Sequence, residues 1–89
     1  MIKIVRATHK RDYIIEIQFS DGSSGDYDLD PLLDRETELT KPLKDIGYFK
    51  RYFIELGALG WPSGLELSPA AIHRQLEASG TLRRTSLVA

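Results

Sequence analysis

The sequence has no cysteine, no long apolar run and almost no net charge. Without cysteine the chain has no disulfide, no thiolate metal ligand and no cysteine nucleophile, which fits a reducing compartment. No stretch approaches the ~20 apolar residues of a membrane-spanning helix, and residues 1–10 lack the apolar core of a signal peptide. A formal net charge of −1 gives no general attraction to nucleic acid. We therefore expect a cytoplasmic protein that does not bind membranes.

What is present is the composition of a small globular domain. Among the 89 residues, 42% are hydrophobic and 28% are charged, which is close to ordinary globular usage. A chain of this length buries about 60–65% of the surface that it exposes when unfolded, enough for a thin core. The sequence predicts a single domain over residues 1–80 and a loose tail over residues 81–89.

Two segments near the N-terminus predict a β-hairpin. In Tyr13–Phe19, apolar residues occupy every second position, which is typical of a half-buried strand. The loop Ser20–Gly22 separates this segment from a second alternating stretch. A three-residue loop pairs Ile17 with Gly25 and keeps the apolar residues on one face, whereas a two-residue loop mixes the faces. The three-residue loop also puts Gly22 where the left-handed conformation is required, so we predict this loop.

The strongest helix signal is Ser68 followed by Pro69, because a hydroxyl cap and a proline in the first turn both favour a helix start. This helix is predicted to extend to Ala78, and Gly80 is predicted to end it. Weaker patterns predict a strand over 1–7, helical turns over 30–33 and 42–49, and strands over 51–56 and 59–61. Together the patterns predict an α+β fold, in which the C-terminal helix packs on a small antiparallel sheet of hairpins.

The alternation also predicts which residues are buried. The buried sheet face is expected to consist of Tyr13, Ile15, Ile17, Phe19, Tyr27 and Leu29, covered by Ile72 and Leu76 of the helix. Trp61, beside Pro62, is expected to be partly buried in this thin core, where its indole N–H needs an acceptor. The alternative is an exposed Trp61 that anchors a partner, since tryptophan is frequent at binding hot spots.

Acidic residues are concentrated in one part of the chain, because residues 21–38 contain seven carboxylates and one arginine. In the predicted hairpin register, Glu16 lies opposite Asp26, and Asp28 shares their outward face. Like charges across a strand pair repel each other, and a basic partner protein would relieve this repulsion. Glu16, Asp26 and Asp28 are therefore the candidate residues of a partner-binding surface. The competing interpretation, which the sequence favours, is that these carboxylates only keep an exposed strand soluble and unpaired.

Neither the acidic residues nor the histidines form a motif for metal binding or catalysis. Four aspartates from Asp26 to Asp34 are spaced as in a calcium loop, but Pro31 and Thr37 replace the required glycine and bidentate glutamate. His9 and His73 have no zinc-motif spacing and no adjacent nucleophile motif. We predict His9 as an exposed turn residue and His73 as a boundary residue of the helix. The sequence thus predicts no catalytic residue, no metal site and no cofactor.

Residues 41–53 interleave basic and aromatic side chains, a pattern that nucleic-acid surfaces use for phosphate contacts and base stacking. The basic residues of this alternative nucleic-acid surface are Lys41, Lys44, Lys50 and Arg51. The competing interpretation is that the aromatic residues belong to the core and the lysines lie on its solvent side. A small domain needs aromatic burial for stability, which favours this second interpretation.

Three segments, in this order, resemble one known family. They are Tyr13–Gly22 leading into Asp26–Leu33, Pro42–Asp45 with Phe49, and Trp61–Pro69. Their order and spacing resemble the small bacterial proteins of domain-of-unknown-function family 2442, over residues 2–76 of this chain. The family pattern usually has aspartate where this chain has Glu66.

The resemblance implies an α+β fold with a small antiparallel sheet and a helix, and it implies no established enzyme activity. Members of the family are often encoded beside another small protein family, in suspected toxin–antitoxin pairs. The resemblance therefore implies a non-enzymatic interaction module, with an antitoxin-like role and a partner protein encoded by a neighbouring gene. The acidic residues predict that this partner is basic. A nucleic-acid-binding accessory protein that uses residues 41–53 is the alternative, and a small enzyme is a third reading.

Overall fold

A computed structural model describes residues 1–84 of the chain. Its strands are β1 (Ile4–Arg11), β2 (Ile14–Phe19), β3 (Ser23–Asp28), β4 (Phe53–Glu55), β5 (Ala58–Gly60), β6 (Glu66–Leu67) and β7 (Arg83–Arg84). Its helices are α1 (Asp30–Leu33), α2 (Ile46–Phe49) and α3 (Pro69–Ala78), with a 3-10 helix at Lys41–Lys44. In this part of the chain no helix is long and apolar enough to cross a bilayer, the longest being the 10 residues of α3.

Two small antiparallel sheets and the C-terminal helix α3 make up the fold. Sheet A has the strand order β1-β2-β3-β7, and sheet B has the order β4-β5-β6. The predicted α+β class is confirmed. The division into two sheets was not part of the prediction, because β4, β5 and β6 have only two or three residues each and show no alternation of their own.

The hairpin of β2 and β3 forms in the predicted register. Ile17 pairs with Gly25, and Glu16 pairs with Asp26. Gly22 has φ of +87°, the left-handed conformation that the end of a three-residue loop requires. The apolar alternation of β2 therefore determines the pairing partner of each residue, because a slip by one residue would expose the buried side chains.

One face of sheet A lies in the core, and α3 covers it. The buried residues of this face are Ile15, Ile17, Phe19 and Leu29, and those of α3 are Ile72 and Leu76. The prediction is confirmed for these six residues. Tyr13 and Tyr27 are only partly buried, and the Tyr13 hydroxyl donates a hydrogen bond to the Lys44 carbonyl.

Helix α3 begins and ends where the sequence predicts. The Ser68 hydroxyl accepts a hydrogen bond from the Ala71 amide at 3.3 Å, and Pro69 occupies the first turn. At the other end Gly80 has φ of +75°, and the Thr81 amide donates to the Leu76 carbonyl at 3.0 Å. These contacts direct the chain after α3 back towards β3.

Trp61 is a central residue of the core. It is 1% exposed, which is more buried than the sequence predicts and leaves no exposed indole for a partner. Its Nε1–H donates to the Phe49 carbonyl at 2.8 Å, so the indole has the acceptor that burial demands. The rings of Phe49 and Trp61 lie 5.9 Å apart between centroids. Trp61 thus joins α2 to sheet B.

The outer side of β1 is hydrogen-bonded to residues that flank β4. The Ile4 amide donates to the Gly57 carbonyl at 2.8 Å. The His9 amide donates to the Tyr52 hydroxyl at 2.8 Å, and that hydroxyl donates to the Ala7 carbonyl at 3.4 Å. Sheets A and B therefore meet along β1, although they do not merge into one ladder.

Strand β1 is longer than its sequence pattern indicates. It extends to Arg11 and includes His9, so the prediction of His9 as an exposed turn residue is wrong. The His9 ring packs edge-on against Phe49, with 5.9 Å between centroids, and is partly buried. The turn follows at Asp12, which has φ of +45°. An alternation of apolar and polar residues does not predict this extension, because most β1 side chains are polar and exposed.

The C-terminal boundary also differs from the prediction. Arg83 and Arg84 form β7, which pairs with the first two residues of β3 at the edge of sheet A. Residues 81–84 therefore belong to the fold, and no loose tail begins at residue 81. The rest of the predicted tail, residues 85–89, lies outside the described residues.

Candidate functional site

The predicted partner-binding carboxylates lie together on the outward face of the β2–β3 hairpin. Glu16 is directly opposite Asp26 in the ladder, and Asp28 follows two residues later on the same face. We call Glu16, Asp26 and Asp28 the acidic surface. The structure thus brings together the three residues that the sequence assigns to one site.

The acidic surface already contains a guanidinium group from the chain itself. Nη2 of Arg83 lies 3.1 Å from Glu16 Oε2 and 3.6 Å from Asp26 Oδ1. Lys10 adds a longer contact to Glu16 at 3.8 Å. The expectation that Glu16 and Asp26 repel each other without relief is wrong, because Arg83 lies between them and offsets their charges.

The carboxylate of Asp26 is only partly satisfied by these contacts. Its Oδ1 atom is buried and accepts no hydrogen bond from the described residues, since Arg83 at 3.6 Å is beyond ordinary hydrogen-bond distance. Asp28 is used locally, because its Oδ1 accepts the Asp30 amide at 3.0 Å. Oδ1 of Asp26 is therefore a buried acceptor without a hydrogen-bond donor among the described residues.

A groove borders the acidic surface where β3 faces α3. Its volume is about 340 Å³. The residues that line it include Asp26, Tyr27 and Asp28 of β3 and Gln75, Leu76 and Ser79 of α3. A second hollow of about 270 Å³ shares Tyr27, Asp28 and Gln75 and continues to α1. The groove combines carboxylates with an apolar floor. Partial burial of Tyr27 in its wall raises the pKa of that hydroxyl above its ordinary value.

A second polar cluster joins the hairpin loop to α3 and β7. Asp21 accepts hydrogen bonds from the amide and the hydroxyl of Ser23. Its other oxygen lies 3.2 Å from His73 Nε2 and 3.3 Å from Arg84 Nη1. His73 is partly buried at the boundary between the buried and exposed faces of α3, as predicted. The hydroxyl of Ser23 is bonded to the carboxylate and not to the histidine, so the cluster lacks the serine–base pair of a hydrolase.

The contacts of Asp21 predict that the free energy of unfolding depends measurably on pH. Hydrogen bonds from Ser23, with help from His73, lower the pKa of Asp21 from 3.8 to about 2. A carboxyl group whose pKa is lower in the folded state stabilises the fold above its unfolded pKa, and this contribution is lost as the pH falls towards 2. Because the side chain is one-third exposed, we expect the ionised group to contribute about 1 kcal/mol.

Urea unfolding of wild type and Asp21→Asn at several pH values measures this contribution. The difference in the free energy of unfolding is expected to be about 1 kcal/mol at pH 6 and to shrink towards pH 2. A difference that is equal at both pH values would show that the ionised carboxylate contributes no pH-dependent stability.

The residues of the alternative nucleic-acid surface lie apart from the acidic surface. Lys44 forms an ion pair with Glu36, which lowers the pKa of Glu36. The Arg51 guanidinium lies 5.7 Å from the centroid of the Tyr48 ring. Phe49 is fully buried, so the core interpretation of this aromatic residue is confirmed. Lys41 and Lys50 are exposed and form no ion pair within the described residues.

The aspartates of the calcium-like spacing are distributed over different elements. Asp26 and Asp28 are in β3, Asp30 is in the first turn of α1, and Asp34 follows the end of α1. Over residues 1–84, no group of three or more histidine, aspartate or glutamate side chains is placed to hold a metal ion. Glu66 lies exposed in β6.

Sequence reasoning missed the two arginines that complete both clusters. Arg83 binds the acidic surface and Arg84 binds Asp21, from opposite sides of one short strand. Only charge could have indicated these contacts. Two consecutive arginines follow α3, and the β2–β3 hairpin contains an excess of carboxylates. A strand of two residues has no periodicity that could have indicated the pairing.

Comparison with known proteins identifies one family. The family described as "Protein of unknown function (DUF2442)" matches residues 4–77, a range that includes β1 to β6 and almost all of α3. No curated protein and no solved structure matches the chain. The resemblance carried by the hairpin, the Pro42–Asp45 segment and Trp61–Pro69 is confirmed. This protein belongs to domain-of-unknown-function family 2442.

Proposed function

We propose that the protein is a non-enzymatic interaction module that binds a basic segment of a partner protein with its acidic surface. The observation that supports this most directly is the position of Arg83, whose guanidinium bridges Glu16 and Asp26. A surface that accommodates an arginine of its own chain has the geometry and charge to accept one from another protein.

The partner proposed is a basic protein encoded by a neighbouring gene, and the role proposed for this chain is that of an antitoxin-like protein. With Lys10 and Arg83 in place the acidic surface keeps an excess of one carboxylate, which favours association with a basic partner at low salt. The adjoining groove offers an apolar floor at Leu76 beside carboxylates at Asp26 and Asp28. A basic segment with some apolar side chains would fit this lining.

The alternative proposal, nucleic-acid binding through residues 41–53, has weaker support. Its favourable feature is the exposure of Lys41 and Lys50. Against it, Lys44 is paired with Glu36, and Phe49 is buried and unable to stack on a base. We therefore place the proposed site on the acidic surface.

The test is a pair of substitutions, Asp26→Asn and Asp28→Asn, in one variant. Asparagine keeps the oxygen of residue 28 that accepts the Asp30 amide, so the local turn is preserved. We expect affinity for the neighbour-encoded protein to fall about tenfold at low salt, with a weaker dependence of affinity on salt concentration. Calorimetric titration across a salt series measures both quantities.

The matched control is Asp34→Asn with Glu38→Gln, because both side chains are exposed and lie outside the acidic surface. This control removes the same amount of charge. Thermal unfolding of both variants verifies that each is folded. If the two variants bind the partner as wild type does, the acidic surface is not the binding site. If they lose affinity equally, net charge and not this surface controls binding.

A further inference from the structure

The turn between β4 and β5 carries a leucine that both the backbone conformation and the exposure to water disfavour. Glu55 pairs with Ala58, so the turn has two central residues, Leu56 and Gly57, with φ of +52° and +82°. Two central residues with positive φ make a type I′ turn, which prefers Asn-Gly. A bulky side chain is rare in this conformation, and Leu56 is also 94% exposed. The fold alone gives no reason for leucine at this position.

Strand β1 places a second apolar side chain and two cations beside this turn. The first amide of β1 donates to the Gly57 carbonyl at 2.8 Å. The Lys3 side chain packs against Gly57, where an added Cβ would lie 2.7 Å from Lys3 Cβ. Val5 is the extra residue of a β-bulge and is 58% exposed. We call Leu56, Val5, Lys3 and Arg6 the Leu56 surface.

The cations of the Leu56 surface are available to another molecule. Lys3 and Arg6 are exposed and form no ion pair within residues 1–84. Glu55 precedes Leu56 in the turn, so the surface keeps an excess of one cation. An exposed apolar side chain bordered by cations is complementary to an apolar hollow bordered by carboxylates.

The groove between β3 and α3 is such a hollow, and it lies at the other edge of sheet A. Its floor includes Leu76, and its wall includes Asp28. Asp28 is exposed and has no ion pair in the described part of the chain. Strand β2 separates β1 from β3, and the β4–β5 turn adjoins the outer side of β1. The Leu56 surface therefore does not reach the groove of its own chain.

We infer that the Leu56 surface of one molecule docks into the groove of a second copy. Leu56 lies against Leu76, and Lys3 and Arg6 approach Asp28. The charges point to a second copy, because one chain carries both the cationic apolar projection and the acidic apolar hollow. The contact is head-to-tail, so it produces a ring or a chain of molecules and not a symmetric pair.

Sedimentation velocity of the full chain from about 20 μM to about 1 mM measures the association. The weight-average sedimentation coefficient of wild type is expected to rise with concentration. Leu56→Asn removes the apolar contact and supplies the Asn-Gly sequence that the turn prefers. We expect this variant to stay monomeric, and to unfold at the same urea concentration as wild type or at a higher one.

Gln75→Arg tests the groove. Gln75 lines the groove from an exposed position of α3, and arginine is a good helix former, so the fold is preserved. The added cation repels Lys3 and Arg6, and we expect this variant to stay monomeric as well. A mixture of Leu56→Asn and Gln75→Arg retains one working contact, so it should form pairs and nothing larger.

The matched control is Leu39→Asn, because Leu39 is 44% exposed and lies outside both contact regions. This variant should associate as wild type does. An equal loss of association in Leu39→Asn and Leu56→Asn would show non-specific apolar association and overturn the inference. Association of Gln75→Arg at the wild-type level would show contact between two Leu56 surfaces and overturn it too. A mixture that forms no pairs is the third contrary result.

The second copy and the proposed basic partner compete, because both occupy the groove. Self-association needs no partner, so the sedimentation results do not depend on the proposed function, which is tested by binding of the neighbour-encoded protein. Wild type that stays monomeric at the highest concentration would overturn the inference. If Leu56→Asn then also weakens binding of the neighbour-encoded protein, the Leu56 surface belongs to that contact instead.

Discussion

Replacement of Trp61 by alanine is expected to lower the free energy of unfolding by about 3–5 kcal/mol. The indole is 1% exposed and packs near the rings of Phe49 and Tyr52. Its removal leaves a large cavity in a thin core, and it leaves the Phe49 carbonyl without its donor. Small domains have a total stability of about 5–15 kcal/mol, so this loss is a large fraction. Urea unfolding followed by circular dichroism measures it.

Trp61→Phe is the informative companion, because it retains most of the ring and removes only the N–H donor and part of the volume. We expect a smaller loss of about 1–3 kcal/mol. This variant also provides a result if Trp61→Ala does not fold. If both variants unfold at the wild-type urea concentration, Trp61 is not the core residue that the structure shows.

Ile17→Ala is expected to cost about 2–4 kcal/mol in the free energy of unfolding. Ile17 is fully buried in the centre of sheet A, and α3 covers this face with Ile72 and Leu76. The control is Ile46→Ala, because Ile46 is 40% exposed and loses less apolar contact. We expect the control to cost less than about 1 kcal/mol. Equal losses in the two variants would contradict the assignment of the buried face.

The parts of the fold that the sequence predicts are those with local signals. The alternation in β2 determines both its buried face and the pairing of Ile17 with Gly25. Ser68 and Gly80 specify the two ends of α3, because each satisfies a local backbone requirement. These features need no knowledge of distant residues.

The parts that the sequence does not predict depend on distant contacts. His9 becomes part of β1 because of Phe49 and Tyr52, which lie some forty residues further along the chain. Sheet B consists of strands too short to show a period, and it is held by contacts such as Trp61 with Phe49. Tertiary contact decides the structure of such segments, and propensity does not.

In the candidate site, too, local features are predictable from the sequence and distant contacts are not. The juxtaposition of Glu16 and Asp26 follows from the hairpin register and is predictable. The presence of Arg83 between them is not, because residues 16 and 83 are 67 positions apart. The sequence therefore indicates the charge of the surface, whereas the structure shows which group already occupies it.

The hydroxyl of Tyr52 affects whether molecules of this protein can associate through the edge of sheet A. A strand at the margin of a sheet normally offers its free amides and carbonyls to any neighbouring molecule, which is how fibrils begin to grow. On β1 the amides of Ile4 and His9 are already bonded to the Gly57 carbonyl and the Tyr52 hydroxyl. A second molecule can add a strand at β1 only after it displaces both of these hydrogen bonds. The Tyr52 hydroxyl therefore hinders fibril growth from this edge of sheet A.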